Sequence, residues 1–330
     1  MKISIALAAF NGGKYLKAQL ESFLAQTRLP DELIIIDDGS NDNTLDIIRS
    51  FVASAPFSVS WSQNENNLGY SGNFNKALMK TTGDLVFLSD QDDVWFPEKI
   101  AHVSTLALAY PQIMVFMNDA ALTDADLRDT GLTKLGQIYS AGFSEKSFVM
   151  GCCAAVRREF LDICLPIPNG FPAHDDWIVG IADDLDRKFI IPYVLQYYRR
   201  HGNNQSQWIV NRTTRVTWWH IYEARWRNRL SQWFKYVSGN FVDSVINTDT
   251  KFLMLEWAKT VANQAPLSLQ KDLVKFRNKL QSEQQALAER KEIRMLPLPK
   301  RALAAFEYWR TGRYIRFSGL KSAFRDVLKL

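Results

Sequence analysis

Apolar and polar residues follow one another along the N-terminal part of the chain in short regular blocks. Residues 3–8 are almost wholly apolar and end at Asn11-Gly12-Gly13, a loop signal. Within 15–25, Leu16, Leu20, Phe23 and Leu24 fall at helical spacing. A second β-rich run, 33–36, ends in Asp37-Asp38-Gly39-Ser40, and 45–52 is helical again. Residues 59–61 supply a third strand, and a helix over 72–80 follows Asn67-Leu68-Gly69. A fourth strand, 85–88, ends at Asp90-Gln91-Asp92-Asp93; Pro97 suits the first turn of a helix over 98–109, and 113–117 is a fifth strand. Strands separated by helices of roughly 10–15 residues predict βαβ units, hence an α/β fold with a mainly parallel sheet and flanking helices. In such sheets the ligand lies outside the carboxyl ends of the strands. The polar clusters at 10–13, 37–40 and 90–93 all fall there.

Beyond residue 201 the pattern changes. Residues 213–237 are rich in Trp and Arg, 267–294 read as one long charged helix, and 301–330 as further amphipathic helices broken near Gly312. The expected division is a domain at 1–205 and a helical, basic, Trp-rich region at 206–330. Charge separates the two regions as well. Residues 1–201 hold 17 Lys/Arg against 25 Asp/Glu, and 202–330 hold 23 against 10, so −8 is followed by +13 within a net charge of +5. Seven of the ten tryptophans lie in the second region.

Several classes drop out. No apolar run reaches the ~18 residues of a membrane span. The N-terminal apolar stretch is too short for a signal peptide and reads as a buried strand. Three cysteines, Cys152, Cys153 and Cys164, with no C-x-x-C and no His at ligand spacing, predict neither a disulfide framework nor a zinc site, and a reducing cytoplasm is expected. Neither G-x-G-x-x-G after the first strand nor a P-loop is present, which removes the main support for dinucleotide and P-loop proteins.

The acid turn carries the sharpest chemistry. Two carboxylates at ~4 Å repel by ~4 kcal/mol at an effective dielectric of 20, so Asp90, Asp92 and Asp93 need a cation, a shared proton or full solvation. Oxygen ligands favour Mg²⁺ or Mn²⁺, bound jointly with phosphates. A solvated turn capping the next helix is the plainer alternative. Asp37-Asp38-Gly39-Ser40 is either an ordinary turn or a carboxylate that meets a nucleobase or ribose. Asp175 and Asp176, at a loop-to-helix junction, either cap that helix or include a general base. Tyr198-Arg199-Arg200-His201 offers an imidazole metal ligand and Arg forks for phosphate, or only a basic loop.

Taken in order, Ala8-Ala9-Phe10-Asn11-Gly12, Asp37-Asp38-Gly39-Ser40, Asn67-Leu68-Gly69, Ser89–Trp95, Gly151-Cys152-Cys153, His174-Asp175 and Tyr198–His201 resemble a family 2 glycosyltransferase over about residues 1–205. The blocks Ser-Asp-Gln-Asp-Asp-Val-Trp and Tyr-Arg-x-His-Gly-Asn-Asn are most similar to a bacterial rhamnosyltransferase-like branch.

The resemblance implies a GT-A fold, a nucleotide-sugar donor (dTDP- or UDP-sugar), a divalent metal and inversion at the anomeric carbon. It also implies an acceptor that is a saccharide or lipid-linked, in cell-surface polysaccharide synthesis such as that of O-antigen, with rhamnose as the sugar of that branch. It assigns Ala8, Phe10, Asn11, Asp38, Asn67, Gly69, Asp90 and Arg199 to donor binding. Asp92, Asp90 and His201 fall to the metal and Asp175 to the catalytic base. The sequence departs from the family where Thr and Tyr are frequent and Ala8 and Phe10 stand, and where Glu commonly precedes the base and His174 stands. A non-catalytic nucleotide-sugar-binding module is the alternative.

Basic residues interleaved with aromatics suit nucleic acid or membrane. The resemblance points to the membrane, so peripheral contact with the inner membrane face is expected of the C-terminal region, and no nucleic acid. Trp219, Trp226 and Trp233, spaced by seven, would share one helical face, so tryptophans packed as core between helices with Arg on the wet side are the equal alternative.

Overall fold

The computed structural model describes residues 1–202, 204, 206, 208–223, 226, 246–317 and 319–328. Contacts group the chain into two units, Met1–Val242 and Asp243–Leu330. Residues 208–216, placed by the sequence in the C-terminal region, lie in the first unit. Gln137 donates to the carbonyls of Arg212 and Thr214 and accepts from the Val216 amide.

The first unit is built on β1 (Ile3–Ala9), α1 (Leu16–Leu24), β2 (Glu32–Asp37), α2 (Thr44–Val52), β3 (Ser58–Gln63), α3 (Gly69–Lys80), β4 (Leu85–Ser89), β5 (Val94–Trp95) and α4 (Lys99–Ala109). Then follow β6 (Val115–Thr123), β7 (Asp129–Thr133), α5 (Lys134–Ser140), β8 (Ala154–Arg157), α6 (Arg158–Cys164), α7 (His174–Asp184) and β9 (Lys188–Arg199). The described strands form one sheet in the order β3-β2-β1-β4-β8-β6-β9-β5, with β7 on β6. β3, β2, β1 and β4 run parallel, and their apolar residues are buried on both faces of the sheet along β1, β2 and β4. Helix α1 presents Leu16, Leu20 and Phe23 to that core, where Phe23 and Phe87 pack on Trp95.

Past β4 the sheet is mixed. β8 lies antiparallel between β4 and β6, β9 runs parallel to β6, and the two-residue β5 pairs antiparallel with β9. Parallel registers Ala9↔Asp37 and Leu7↔Ser89 bring the ends of β1, β2 and β4 side by side. The three polar clusters therefore form one rim.

The second unit contains the helices Ile246–Val261, Leu267–Met295, Leu298–Arg310 and Leu320–Leu328. The expected break falls at Gly312, whose φ of 74° is left-handed and suits glycine. Asp326 is fully buried and neutralised there by Arg290 (2.7 and 2.8 Å), Arg294 (2.7 Å) and the Tyr314 hydroxyl (2.6 Å). Of the helix expected over 213–237, residues 218–223 are helical. Trp233 lies outside the described residues.

Candidate functional site

The rim opens on a cavity of about 1200 Å³ lined by Ala8, Phe10, Asn11, Asp38, Asn67, Gly69, Asp90, Asp92, Asp175 and His201, among others. Ten of the eleven residues singled out in the sequence thus meet at one place. Arg199 is the exception. It is buried, its Nε donates to the Asp92 carbonyl (2.7 Å) and its guanidinium to the Ala125 carbonyl (2.8 Å), and it stacks 4.6 Å from the Tyr15 ring centre. The fork expected to grip phosphate holds the acid turn in shape instead.

The acid turn has two layers. In the lower one Asp93 is fully buried and accepts from Gln196 Nε2 (3.0 Å) and the Arg199 amide (3.2 Å). Gln196 in turn accepts from the fully buried Lys99, which also donates to the Cys152 carbonyl (3.0 Å) and lies 4.0 Å from the centre of the Trp95 ring. Burial pushes the Lys99 ammonium down to about 8, against the pull of the neighbouring acidic groups. In the upper layer Asp92 Oδ2 lies 2.7 Å from His201 Nε2 and accepts from Asn204 Nδ2 at 3.1 Å. The His201 ring stacks on Tyr15 at 4.8 Å. Neither Tyr15 nor Asn204 was picked out in the sequence as a site residue.

The donor set suits a hard dication. Asp90, Asp92 and His201, two carboxylates and an imidazole, line the cavity. Burial, then the charges of Asp92 and Asp175, push Asp90 up to about 7. That is an excess of negative charge which a cation would offset. Asp90, Asp93 and Cys152 have ligand atoms within 4.8 Å of one another. Asp93 is already spent on Gln196 and Arg199, and the Cys153 hydrogen bond and burial push the Cys152 thiol up, so it stays a soft, protonated neighbour. Cys152 therefore borders the acid turn.

On the opposite wall, Asp37 and Asp38 divide their work. Asp37 is buried and folds the turn by accepting from the amides of Gly39 (3.2 Å) and Ser40 (2.9 Å). Gly39, at φ 86°, takes the left-handed conformation this turn requires. Asp38 Oδ1 accepts from Asn64 Nδ2 (2.7 Å) and the Leu68 amide (2.8 Å), while Oδ2 takes no hydrogen bond among the described residues. Asn67 Nδ2 donates to the Asp38 carbonyl (3.1 Å) and its Oδ1 accepts from the Gly69 amide (3.0 Å). Phe10 is exposed at the rim. Its amide donates to Gln91 Oε1 (2.8 Å) and its carbonyl accepts from Gln91 Nε2 (2.9 Å). Gln91, unremarked in the sequence beside its acidic neighbours, thus ties the β1 loop to the acid turn.

Asp175 sits in the first turn of α7, where the helix dipole favours a carboxylate. Its Oδ2 accepts from the Gly151 amide at 3.4 Å and its Oδ1 from the Asp176 amide at 3.0 Å. His174 beside it is buried, stacks on Phe74 at 4.0 Å, and has no hydrogen bond to either ring nitrogen. Burial holds it below the usual imidazole range and therefore neutral. Tyr70 on α3 reaches across to donate to the Pro172 carbonyl at 3.1 Å.

A parallel half-sheet whose strand ends carry the Asp37-Asp38 turn, an acid turn and a helix-borne aspartate is a GT-A fold. A solved structure with a similar fold is S. aureus TarS 1–349 in complex with UDP-GlcNAc, which aligns over 99% of this chain and 90% of that one at a TM-score of 0.54 and 16% identity. Residues 4–164 match the model of Glycosyl transferase family 2. The chain is 29% identical over 214 residues to an uncharacterised glycosyltransferase of Nostoc sp., spanning 62% of this chain and 66% of that protein. It is 26% identical over 224 residues to the dTDP-rhamnosyl transferase RfbG of Shigella flexneri, spanning 60% and 73%.

Proposed function

We propose that the protein transfers a sugar from a nucleotide-sugar donor to a hydroxyl of a saccharide or lipid-linked acceptor, with inversion at the anomeric carbon, in cell-surface polysaccharide synthesis. The observation that carries this is the sharing of one cavity by Asp175, the Asp92–His201 pair and the Asp38 wall. Asp38 receives the base edge, Phe10 stacks on the base beside Ala8, and Asn11, Asn67 and Gly69 border the ribose and diphosphate. Mg²⁺ or Mn²⁺, held by Asp92 with Asp90 and His201, would supply charge to offset that of the leaving diphosphate. Asp175 takes the proton of the acceptor hydroxyl. The hydroxyl oxygen then bonds to the anomeric carbon as the carbon–oxygen bond to the diphosphate breaks, and the bonding pair leaves with the nucleotide. A single displacement inverts the centre.

Similarity to RfbG supports rhamnose, and hence dTDP-rhamnose, as the sugar and donor. Among the described residues no helix is long and apolar enough to cross a membrane. Trp218, Trp219, Tyr222 and Trp226 are exposed in a basic stretch, which supports peripheral contact with the anionic inner leaflet.

The test is donor turnover. dTDP-rhamnose and a panel of UDP- and GDP-sugars are incubated with Mg²⁺ or Mn²⁺ and lipid-linked saccharide, with release of nucleoside diphosphate measured and the product anomer read by NMR. Transfer with inversion is expected. A donor that raises the unfolding temperature but is never consumed would favour the non-catalytic module.

A further inference from the structure

The donor assignment leaves the far wall of the cavity unused. That wall is the loop 147–151, of which Ser147, Val149, Met150 and Gly151 line the space. At its end the Gly151 amide meets Asp175 (3.4 Å), and just before its start Phe143 packs 5.9 Å from the Trp208 ring. The loop therefore runs from Trp208 to the base.

Trp208 is braced from the protein side. The fully buried Lys134 places its ammonium 4.6 Å from the indole centre and donates to Asn211 Oδ1. Asn211 Nδ2 donates to Ser206 Oγ at 2.8 Å. Arg200 donates to the Ser206 carbonyl and to the Tyr198 hydroxyl, each at 3.0 Å. Three buried or half-buried polar side chains thus hold a half-buried indole at the wall, together with Ser206, Ser147 and Tyr198.

A braced indole that lines the same cavity as the hydroxyl-bearing Ser147, Ser206 and Tyr198 matches a ligand with one apolar face and many hydroxyl groups on its edge. A pyranose ring has that form: axial C–H bonds for the indole, equatorial hydroxyls for Ser147, Ser206 and Tyr198. We propose that Trp208 is the stacking platform of an acceptor subsite that takes a pyranose ring on the Asp175 side of the cavity. This placement rests on the donor assignment above and adds to it the chemistry of the acceptor: an uncharged saccharide rather than a peptide or a bare lipid phosphate.

The probes are methyl α- and β-glycosides of rhamnose, glucose, galactose, mannose and N-acetylglucosamine, followed by saturation-transfer NMR in the presence of Mg²⁺ and dTDP or UDP. Nucleotide binding is measured in parallel by thermal shift. Wild type should bind at least one glycoside. Trp208→Ala should weaken that binding by about tenfold, and Trp208→Phe should keep most of it, with nucleotide binding unchanged in both. Glycoside affinity unchanged in Trp208→Ala, or no glycoside bound by a wild type that binds nucleotide, overturns the subsite and leaves the donor assignment standing. Loss of nucleotide binding in Trp208→Ala would show that the indole props the whole cavity, against a local platform. A wild type that binds no nucleotide overturns the donor assignment and the subsite with it.

Discussion

Asp92 and His201 stand 109 residues apart in the chain and meet at 2.7 Å. One comes from the turn after β4, the other from the loop after β9, and Arg199 and Asn204 secure the junction by donating to the carbonyl and the carboxylate of Asp92. Both side chains line the one cavity.

Asp92→Asn should lower turnover by at least about 10²-fold with little change in unfolding temperature, because a ligand charge is lost and no packing is. Turnover and thermal unfolding measured on the same sample check it. Full activity of that variant in EDTA would remove the cation assignment.

Asp175→Asn preserves shape and removes basicity. The rate should fall about 10²–10⁴-fold with donor affinity little changed. Single-turnover kinetics with both asparagine variants decides between neighbours: a dead Asp176→Asn beside an active Asp175→Asn would move the base by one residue.

Gly151 has no room for a side chain. A Cβ there would lie 2.5 Å from His174 Nε2, whose ring is stacked on Phe74. Gly151→Ala should push the first turn of α7, and Asp175 with it, costing about 1–3 kcal/mol of stability. A displacement of ~1 Å costs up to about 10²-fold in rate. Adding His174→Ala makes space, so the double variant should recover part of the loss. A Gly151→Ala enzyme as fast and as stable as wild type would contradict the contact.

Vesicles separate core tryptophans from surface ones. The protein should float with liposomes containing anionic lipid at low salt and detach as salt rises, since each basic side chain near such a surface contributes about 1 kcal/mol. Replacing Trp218 and Trp219, both exposed, by Ala should weaken flotation further. No flotation with either neutral or anionic lipid would end the membrane assignment.

The parallel half of the sheet was legible because each strand is an apolar run that stops at a polar cluster, and strand order then sets those clusters side by side. The long charged helix, expected over 267–294, is Leu267–Met295 for the same reason of local pattern: Leu269, Leu273, Phe276 and Leu280 repeat on one buried face. What escaped is pairing at a distance. β8 is four residues, two of them Ala, and its antiparallel place between β4 and β6 has no local signature. β9 carries Pro192 within twelve residues and hides its strand character. Gln91 and Tyr15 matter through partners 81 and 186 residues away (10 to 91, and 15 to 201), which spacing rules cannot reach. Arg199 is identified by type, but its guanidinium donates to the Asp92 and Ala125 carbonyls, partners that only the folded chain brings to it.

Gln91 has one more consequence. Both ends of its amide are engaged with the backbone of Phe10, and Gly12 lacks the Cβ that would come within 2.2 Å of its oxygen. The β1 loop, proposed to receive the base, and the acid turn, proposed to receive the cation, therefore move as one body. Ordering either by its ligand orders the other, so nucleotide and Mn²⁺ should bind with positive cooperativity, each tightening the other by the same factor as thermodynamic linkage demands. Calorimetric titration of nucleotide with and without Mn²⁺, and of Mn²⁺ with and without nucleotide, would measure that factor. In Gln91→Ala it should fall towards one while each ligand still binds alone, and the enzyme would lose its preference for assembling metal and donor together.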